Sequence, residues 1–472
     1  MDSPPPPKKT AFDIALRRGG QKRDDGAKEG RNTAGDAVVE DAVFGELAGD
    51  APNYRGLGWV RTAVLLMKTE VGLGVLGIPS VLSTVGLVPG VILIAFIGAL
   101  STWCIHVLGD FKLRYPSVYS AGDVGEIIAG KLGREILGIS YWLLTTFVAG
   151  AGMLSIATAF QAITGGNAAC GVVWTVVGAI ITLLIASIRT LDRISWLGWV
   201  GIVSIMTAII TLAVSVGVQD RPAAAPQVGP WDPQTILFAQ PSFLDAMSAV
   251  STIMLCFAGA PNFLSIFSEM KRPEDYLKST IATQSIVTAT YLIIGCVVYH
   301  YCGIYVSSPA LGSAGPLMLK VCYGLALPAL IVSCVLTTHL PAKYIFLRLM
   351  SRSKHVASSS WQHWTVWLSC VLFNTLIAFI IAEAVPVFDG LISLCGALFS
   401  AMLCLSMLGY LWLWVHRSRL RTDRSLGFLA LVALNVFIVI GGTFMQVAGT
   451  VASIYAIKDA LDAGETTKPF GC

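Results

Sequence analysis

Long apolar stretches alternate with short polar segments along most of this chain. Eleven of the stretches come close to, or exceed, the roughly 20 residues that a helix needs to cross a hydrocarbon core of ~30 Å. In chain order, spans 1 to 11 lie at residues 59–83, 86–109, 135–163, 171–188, 195–217, 243–268, 280–303, 317–349, 363–383, 387–414 and 425–453. The pattern predicts an all-α membrane protein with about eleven transmembrane helices.

Composition supports lipid as the solvent of this chain. Hydrophobic residues make up 55% of the 472 residues and charged residues 13%, whereas soluble domains are about 25% charged. Most of the eleven cysteines fall inside apolar runs, where a thiol behaves as a small hydrophobe, so we expect no disulfide framework. Cys302 and Cys322 flank one predicted outer loop and could pair. The expected partners are a bilayer and a small molecule, and nucleic acid is not among them.

The distribution of lysine and arginine predicts the orientation. With the N-terminus inside, the inner segments carry 26 of these residues, the outer segments carry 3, and 3 lie within spans. This bias favours a cytoplasmic N-terminus and, with an odd number of spans, an outer C-terminus. Residues 1–58 begin with a run of four prolines after Ser3 and lack an apolar stretch, so they are typical of a disordered tail and not of a signal peptide.

Two spans contain residues that disfavour a continuous helix. Three glycines and a proline fall between Gly72 and Pro79 in span 1, and Gly259 and Pro261 lie near the middle of span 6. Non-helical backbone at that depth survives only where it is buried in protein or lines a cavity. Close helix packing by small residues with a proline kink is the alternative explanation for each segment.

The two interrupted spans occupy corresponding positions in two halves of opposite topology, which indicates an inverted-repeat transporter of five plus five helices with one extra helix. A half-helix that begins near Val75 offers free N–H groups and a positive dipole end to a carboxylate. Carbonyl groups at the other broken ends suit an ammonium group, so an amino acid fits both. The expected substrate contacts are Thr69, Gly72, Leu73, Gly74, Phe257, Ala258 and Gly259.

The predicted organisation follows from these spans. It comprises a disordered cytoplasmic tail (1–58), a first five-helix repeat (59–217), an extracellular loop (218–242), a second five-helix repeat (243–414), an inner loop with the eleventh helix (415–453) and a short outer tail (454–472).

The run from Lys68 to Pro79 resembles the first-helix signature of the amino acid/auxin permease family, as does the segment from Ser268 to Pro273 after span 6. The tail from Val43 to Arg55 resembles that of fungal neutral amino-acid permeases. The resemblance implies a broken-helix inverted-repeat fold, proton- or sodium-coupled amino-acid uptake and a plasma membrane location in preference to the vacuole. Glu70 stands where proton-coupled relatives often have asparagine.

Ionisable groups within the spans are functional candidates because a charge at the bilayer centre is costly. We expect Lys68, Glu70 and His339 to take part in coupling, although structural roles for each remain open. Partial burial would disfavour the charged form of Glu70, and a nearby Lys68 would oppose that effect. Hydroxyls of Thr337 and Thr338 would help bind sodium if the protein used that ion, as the related folds imply, but such threonines more often bond to their own helix.

The charged loop from Glu269 to Lys278 lies on the inner side. It is either a solvated connector or an inner gate that closes against the segment before span 1, where Arg55 and Arg61 would pair with Glu269 or Asp275.

The sequence therefore predicts a secondary transporter of neutral amino acids, with protons favoured over sodium as the coupling ion and no cofactor or resident metal. A membrane-embedded enzyme is disfavoured because no His/Asp or His/Asn pair sits at catalytic spacing within the spans. An amino-acid receptor that signals without net transport remains an alternative.

Overall fold

The structure, a computed structural model, describes residues 39–41, 45–47, 56–165, 169–188, 191–222, 224–350, 360–463 and 470–471. Strands β1 (Val39–Asp41) and β2 (Gly45–Leu47) pair antiparallel, with Val39 opposite Leu47. This hairpin falls within the predicted tail 1–58, whose disorder stays a prediction. The other residues of the predicted tail before residue 56 lie outside the described part.

The described body is helical. Its helices are α1 (Trp59–Glu70), α2 (Gly74–Val85), α3 (Leu87–Arg114), α4 (Ala121–Thr164), α5 (Gly171–Ala186), α6 (Leu191–Val218), α7 (Phe243–Cys256), α8 (Ala260–Ser268), α9 (Tyr276–Cys302), α10 (Pro316–Met350), α11 (Trp361–Ala384), α12 (Phe388–Cys395), α13 (Met407–Val415), α14 (Arg419–Thr422) and α15 (Leu426–Asp462). A π-helix, Gly396–Ser406, joins α12 to α13. Short 3₁₀ turns lie at Pro273–Asp275, Gly303–Tyr305 and Ala310–Ser313.

The eleven predicted spans all fall on helices. Within the described residues, nine helical segments are long and apolar enough to cross a membrane, and α1 with α2 makes a tenth if the bent pair counts as one span. Helix α5 is apolar but only 16 residues long. The all-helical membrane fold is confirmed, while the count of eleven crossings stays a prediction.

Both predicted interruptions are present as breaks in the helices. Helices α1 and α2 meet at 48° across Val71–Leu73, and α7 and α8 are separated by Phe257–Gly259. A third interruption was not predicted. In α4 the helical dihedrals fail at Ala129 and Gly130, and the φ of +65° at Gly130 suits glycine because it has no Cβ.

Burial separates the central spans from the peripheral ones. Helices α7 and α8 are almost entirely enclosed by other helices, whereas α15 leaves most of its length exposed. A helix that is apolar on all sides must be buried in protein or face lipid. Span 6 is therefore the centre of the body, and span 11 lies at its periphery.

Disulfide chemistry differs from the expectation. Cys302 and Cys322 are both free and buried, so the suggested pairing between them is wrong. Cys170, which precedes α5, is disulfide-bonded, a bond that the sequence did not predict. Its Sγ lies 3.9 Å from the Gly471 carbonyl oxygen, where the C-terminal segment returns to the body. Two segments that are far apart in the chain therefore meet at Cys170.

Candidate functional site

The two broken spans touch each other at their breaks. The Cys256 thiol lies 3.2 Å from the Gly74 carbonyl oxygen. A Cβ added at Gly74 would stand 3.0 Å from the Cα of Cys256, which is backbone that cannot move aside easily. Glycine at position 74 therefore permits the close approach of α2 to α7.

A cavity adjoins this contact. It holds about 660 Å³ of space between atoms, part of it open to solvent. Five of the seven predicted substrate contacts line it, together with two predicted coupling residues and one predicted sodium ligand: Thr69, Gly72, Leu73, Gly74, Ala258, Lys68, Glu70 and Thr337. The prediction did not include the other lining residues, Leu144, Thr145, Val148, Ala151, Leu255, Asn262, Ser333, Leu336 and Ile392.

Phe257 and Gly259 do not line this cavity, which corrects their predicted placement. The ring of Phe257 is buried and packs edge to face on Tyr291, with 5.2 Å between the ring centroids. A Cβ added at Gly259 would overlap the carboxylate of Glu70. The unwound turn directs these residues into the protein, an orientation that a helical projection of the sequence cannot give.

His339 and Thr338 also lie away from the cavity lining. His339 is fully buried, with Nδ1 3.2 Å from the Ala186 carbonyl oxygen and its ring 5.1 Å from that of Trp367. It is a packed histidine of α10, and its predicted part in coupling stays a prediction. Thr337 does line the cavity, but its hydroxyl donates to the Ser333 carbonyl of its own helix at 2.9 Å.

Glu70 lies between the two breaks. Its carboxylate accepts hydrogen bonds from Gln284 Nε2 at 2.8 and 3.1 Å and from the backbone N–H of Gly259. Gly259 is the residue before the first turn of α8, so the positive end of that helix faces the carboxylate. The buried Glu70 is therefore stabilised by the amide dipole of Gln284 and by the dipole of α8. No cation among the described residues pairs with it.

Lys68 extends in another direction. Its ammonium group donates to the hydroxyl of Ser333 on α10, and the side chain is almost fully buried. It forms no ion pair with Glu70. The approach of the two groups through unwinding, left open by the sequence, does not occur in this structure.

Tyr291 joins the two breaks, and sequence reasoning missed it. Its hydroxyl lies 2.9 Å from the carbonyl oxygen of Glu70 and 3.0 Å from that of Cys256. These two carbonyls belong to the last residues of α1 and α7, where helices leave acceptors without internal partners. A single side chain of α9 therefore contacts the terminal carbonyl groups of both broken helices.

A buried ion pair lies nearer the end of the body that carries most of the arginines, here called the basic end. Lys343 Nζ of α10 donates to Glu269 Oε1 at 2.7 Å, and both side chains are almost fully buried. The backbone of Leu57 bonds to Glu269 at 3.1 Å and to Lys271 at 2.8 Å. The segment before α1 thus docks where the inner-gate hypothesis placed it.

Two ion pairs of this loop, seen within the described residues, were not predicted. Glu269 pairs with Lys343, and Asp275 pairs with Lys278 at 2.8 Å. Arg55 lies outside the described residues, so the predicted pairing with the segment before span 1 stays a prediction. The fold brings α10 to the buried carboxylate of Glu269.

Aromatic side chains separate the cavity from this ion pair. The Tyr141 hydroxyl lies 3.3 Å from Oδ1 of the cavity residue Asn262. The ring of Tyr141 meets that of Tyr344 at 5.7 Å, and Lys343 Nζ lies 6.0 Å from the centre of the Tyr119 ring. Tyr141 and Tyr344 therefore link the cavity residue Asn262 to the part of α10 that carries the ion pair.

Known proteins resemble this chain over most of its length. A model of the transmembrane amino acid transporter protein family matches residues 55–455. A transmembrane transporter of Gibberella moniliformis is 35% identical over 444 residues, covering 93% of each chain. The N amino acid transport system protein of Neurospora crassa is 33% identical over 424 residues, covering 89% of each chain.

Solved structures resemble the fold, and one of them shows how far the likeness goes. It is a Na⁺-coupled sialic acid symporter in a substrate-bound, outward-open state, with a TM-score of 0.54. The match covers 85% of this chain and 91% of that one at 10% sequence identity. The structural match supports a shared fold. At such low sequence identity it carries no information on substrate or coupling ion.

Proposed function

Because the chain belongs to the transmembrane amino acid transporter family, we propose that this multi-pass membrane protein is a proton-coupled secondary transporter of neutral amino acids. The observation that carries the proposal is the cavity at the contact between the two broken helices. Unwound backbone there presents helix ends of opposite polarity, which suit the carboxylate and ammonium groups of one zwitterion.

The state of the charged groups in the cavity favours a neutral side chain. The carboxylate of Glu70 is occupied by Gln284 and Gly259, and the ammonium of Lys68 by Ser333. The remaining wall includes apolar side chains, which are Leu73, Leu144, Val148, Leu255, Leu336 and Ile392. Such a wall suits aliphatic or aromatic side chains by burial of apolar surface.

The surroundings of Lys68 support protons over sodium. Its ammonium group lies against Ser333, the α10 hydroxyl nearest the break in span 1. A second cation beside it would meet electrostatic repulsion at low local dielectric. Thr337 directs its hydroxyl hydrogen to its own helix, which is typical of structural threonines.

Glu70 is the group that we propose carries the proton. Gln284 donates through Nε2, while its own Oε1 is buried without a hydrogen-bond partner in the described structure. Rotation of the amide by half a turn would present this oxygen to a protonated Glu70, which can then donate. Gln284 is therefore suited to both protonation states of Glu70.

The test uses purified protein in liposomes with an imposed proton gradient or an imposed sodium gradient. A panel of radiolabelled amino acids should accumulate with the proton gradient, neutral ones best. Equal accumulation on sodium alone would contradict proton coupling. Uptake that stops near one molecule per protein would instead indicate a receptor without net transport.

Glu70→Gln separates coupling from binding. The variant should exchange labelled for unlabelled substrate across the membrane but should not concentrate substrate on a pH gradient. Gln284→Glu is unsuitable as a control because it adds a charge, so Thr337→Ser, which keeps the hydroxyl, serves as the matched variant of the cavity wall. Intact pH-driven accumulation by Glu70→Gln would remove Glu70 from the mechanism and direct attention to Lys68.

We place the transporter in the plasma membrane with the basic end in the cytoplasm, on the basis of the positive-inside distribution and the resemblance to fungal permeases. Fluorescent fusions at the N-terminus, quenched from one side only, test the orientation.

A further inference from the structure

A second pocket lies at the basic end, apart from the cavity between the breaks. Residues of α3, α13 and the turn after α13 line it, namely Trp103, His106, Val107, Asp110, Phe111, Arg114, Trp412, Val415 and His416. It holds about 410 Å³ of space between atoms and shares no lining residue with the first cavity. The transport mechanism above gives it no role.

The pocket is lined by one arginine and one aspartate. Arg114 is exposed at the rim and makes no hydrogen bond or ion pair to any residue that the structure describes. The Asp110 carboxylate accepts a hydrogen bond from the Tyr276 hydroxyl at 2.5 Å and lies 3.8 Å from His106 Nε2, so its own contacts are with these two residues and not with Arg114. The nearby Arg419 is bound to Asp423 at 2.6 Å.

His416 lies near charges of both signs. Its ring stacks on Trp412 at 4.4 Å, and its Nδ1 lies 2.9 Å from the Trp412 carbonyl oxygen. Burial lowers the pKa of His416 below its usual range, and the positive charges of Arg114 and Arg419 lower it further, while Asp110 acts in the opposite sense. An anion in the pocket would offset the charge of Arg114 and would raise the pKa of His416 back toward its usual range.

The walls of the pocket indicate what kind of anion fits. The indole N–H of Trp103 donates to Oδ1 of Asn435 in α15 at 3.2 Å. Because this polar group is already bonded, the ring offers only apolar surface to the pocket. Trp412, Phe111 and Val107 add buried apolar surface. Trp412 lies in the last turn of α13, a position typical of tryptophan at the membrane interface, where a headgroup phosphate adjoins the acyl chains.

We infer that this pocket binds the headgroup of one anionic phospholipid, with Arg114 and His416 beside the phosphate and the tryptophan walls against its glycerol region. Basic pockets between transmembrane helices recognise anionic headgroups in this way. The segment that follows α13 also carries Arg417, Arg421 and Arg424, none of which lines the pocket.

The experiment titrates the full-length protein in detergent with phosphatidylserine or phosphatidylcholine and counts bound lipids by native mass spectrometry. Arg114→Gln is the test variant. Arg421→Gln is the matched control, because Arg421 also lies at the basic end and has no ion pair with a described residue but does not line the pocket. A separate titration uses inorganic phosphate alone.

The wild-type protein should retain one phosphatidylserine in preference to phosphatidylcholine. Arg114→Gln should raise the apparent Kd for that lipid about fivefold, as expected for the loss of one basic residue near an anionic headgroup, and His416→Gln should also weaken it. Arg421→Gln should bind as the wild type does. Equal losses in Arg114→Gln and Arg421→Gln, or equal retention of both lipids, would overturn the proposal. Displacement of phosphatidylserine by millimolar phosphate would overturn it in favour of a free anion.

Discussion

A lysine and a glutamate are buried at each of two levels of this protein, and the pairing differs between the levels. Near the basic end, Lys343 and Glu269 bond to each other. At the breaks, Lys68 bonds to a hydroxyl, and Glu70 bonds to an amide and a backbone N–H. Charges that neutralise each other stabilise one arrangement. Charges held by dipoles remain free to respond to a proton or a zwitterion, which is what a transport site needs.

The largest expected effect on stability comes from breaking the ion pair. Lys343→Met leaves Glu269 as a buried charge without that cation, which should cost about 3–5 kcal/mol. The double variant Lys343→Met with Glu269→Gln should recover part of this loss, because it removes the charge as well. Thermal unfolding in detergent measures both variants. A double variant no more stable than Lys343→Met would show that the two charges do not depend on each other.

Tyr291→Phe should have the next largest effect. It leaves two buried carbonyls without a donor, at a cost of about 1–3 kcal/mol, while the ring can still pack on Phe257. Maximal uptake should fall because both broken ends lose a shared partner.

Tyr299→Phe is the matched control for Tyr291→Phe. Tyr299 is also fully buried in α9, but its hydroxyl contacts the loop residue Ile236, at 3.0 Å from N and 3.3 Å from O, and not a break. It should lose stability and keep normal uptake per folded protein. Equal uptake in Tyr291→Phe and Tyr299→Phe would contradict a special role for Tyr291.

Lys68→Met tests the other half of the comparison. No carboxylate loses an ion partner, and an apolar side chain of similar length fills the space, so the stability should change by only about 1 kcal/mol. Uptake should nevertheless be lost, since the cation at the cavity wall is gone. A stability loss as large as that of Lys343→Met would show that Lys68 has the same structural role as Lys343.

Thr337→Val should give the smallest effect. The lost hydrogen bond lies within α10, so a cost of about 0.5 kcal/mol is expected, and proton-driven uptake should continue. Uptake that becomes dependent on sodium concentration in this variant, or that is abolished, would point to a cation site on the α10 hydroxyls.

The spans and both breaks could be predicted because each depends on residues that are close together in the chain. A span needs a long apolar stretch, and a break needs glycine and proline within it. Gln284 and Ser333 could not, because their partners Glu70 and Lys68 lie 214 and 265 residues away in the chain. A lone glutamine or serine in an apolar helix is the available signal, but it does not identify its partner. The buried orientation of Phe257 could not be predicted either, because unwinding of the helix changes the face on which a residue lies.

The π-helix before α13 lies between the residues of this span that line the two pockets, Ile392 before it and Trp412 and His416 after it. A π-helix contains wider turns than an α-helix and so accommodates an extra residue. Deleting one residue between Gly396 and Ser406 should therefore let an ordinary helix form while the flanking residues keep nearly their present faces. The change would fall on the packing of this segment against α7, where the Ser400 hydroxyl donates to the Met254 carbonyl oxygen at 2.8 Å. Chain length in these eleven residues would thus alter the support of the second broken helix and leave the lining of both pockets in register.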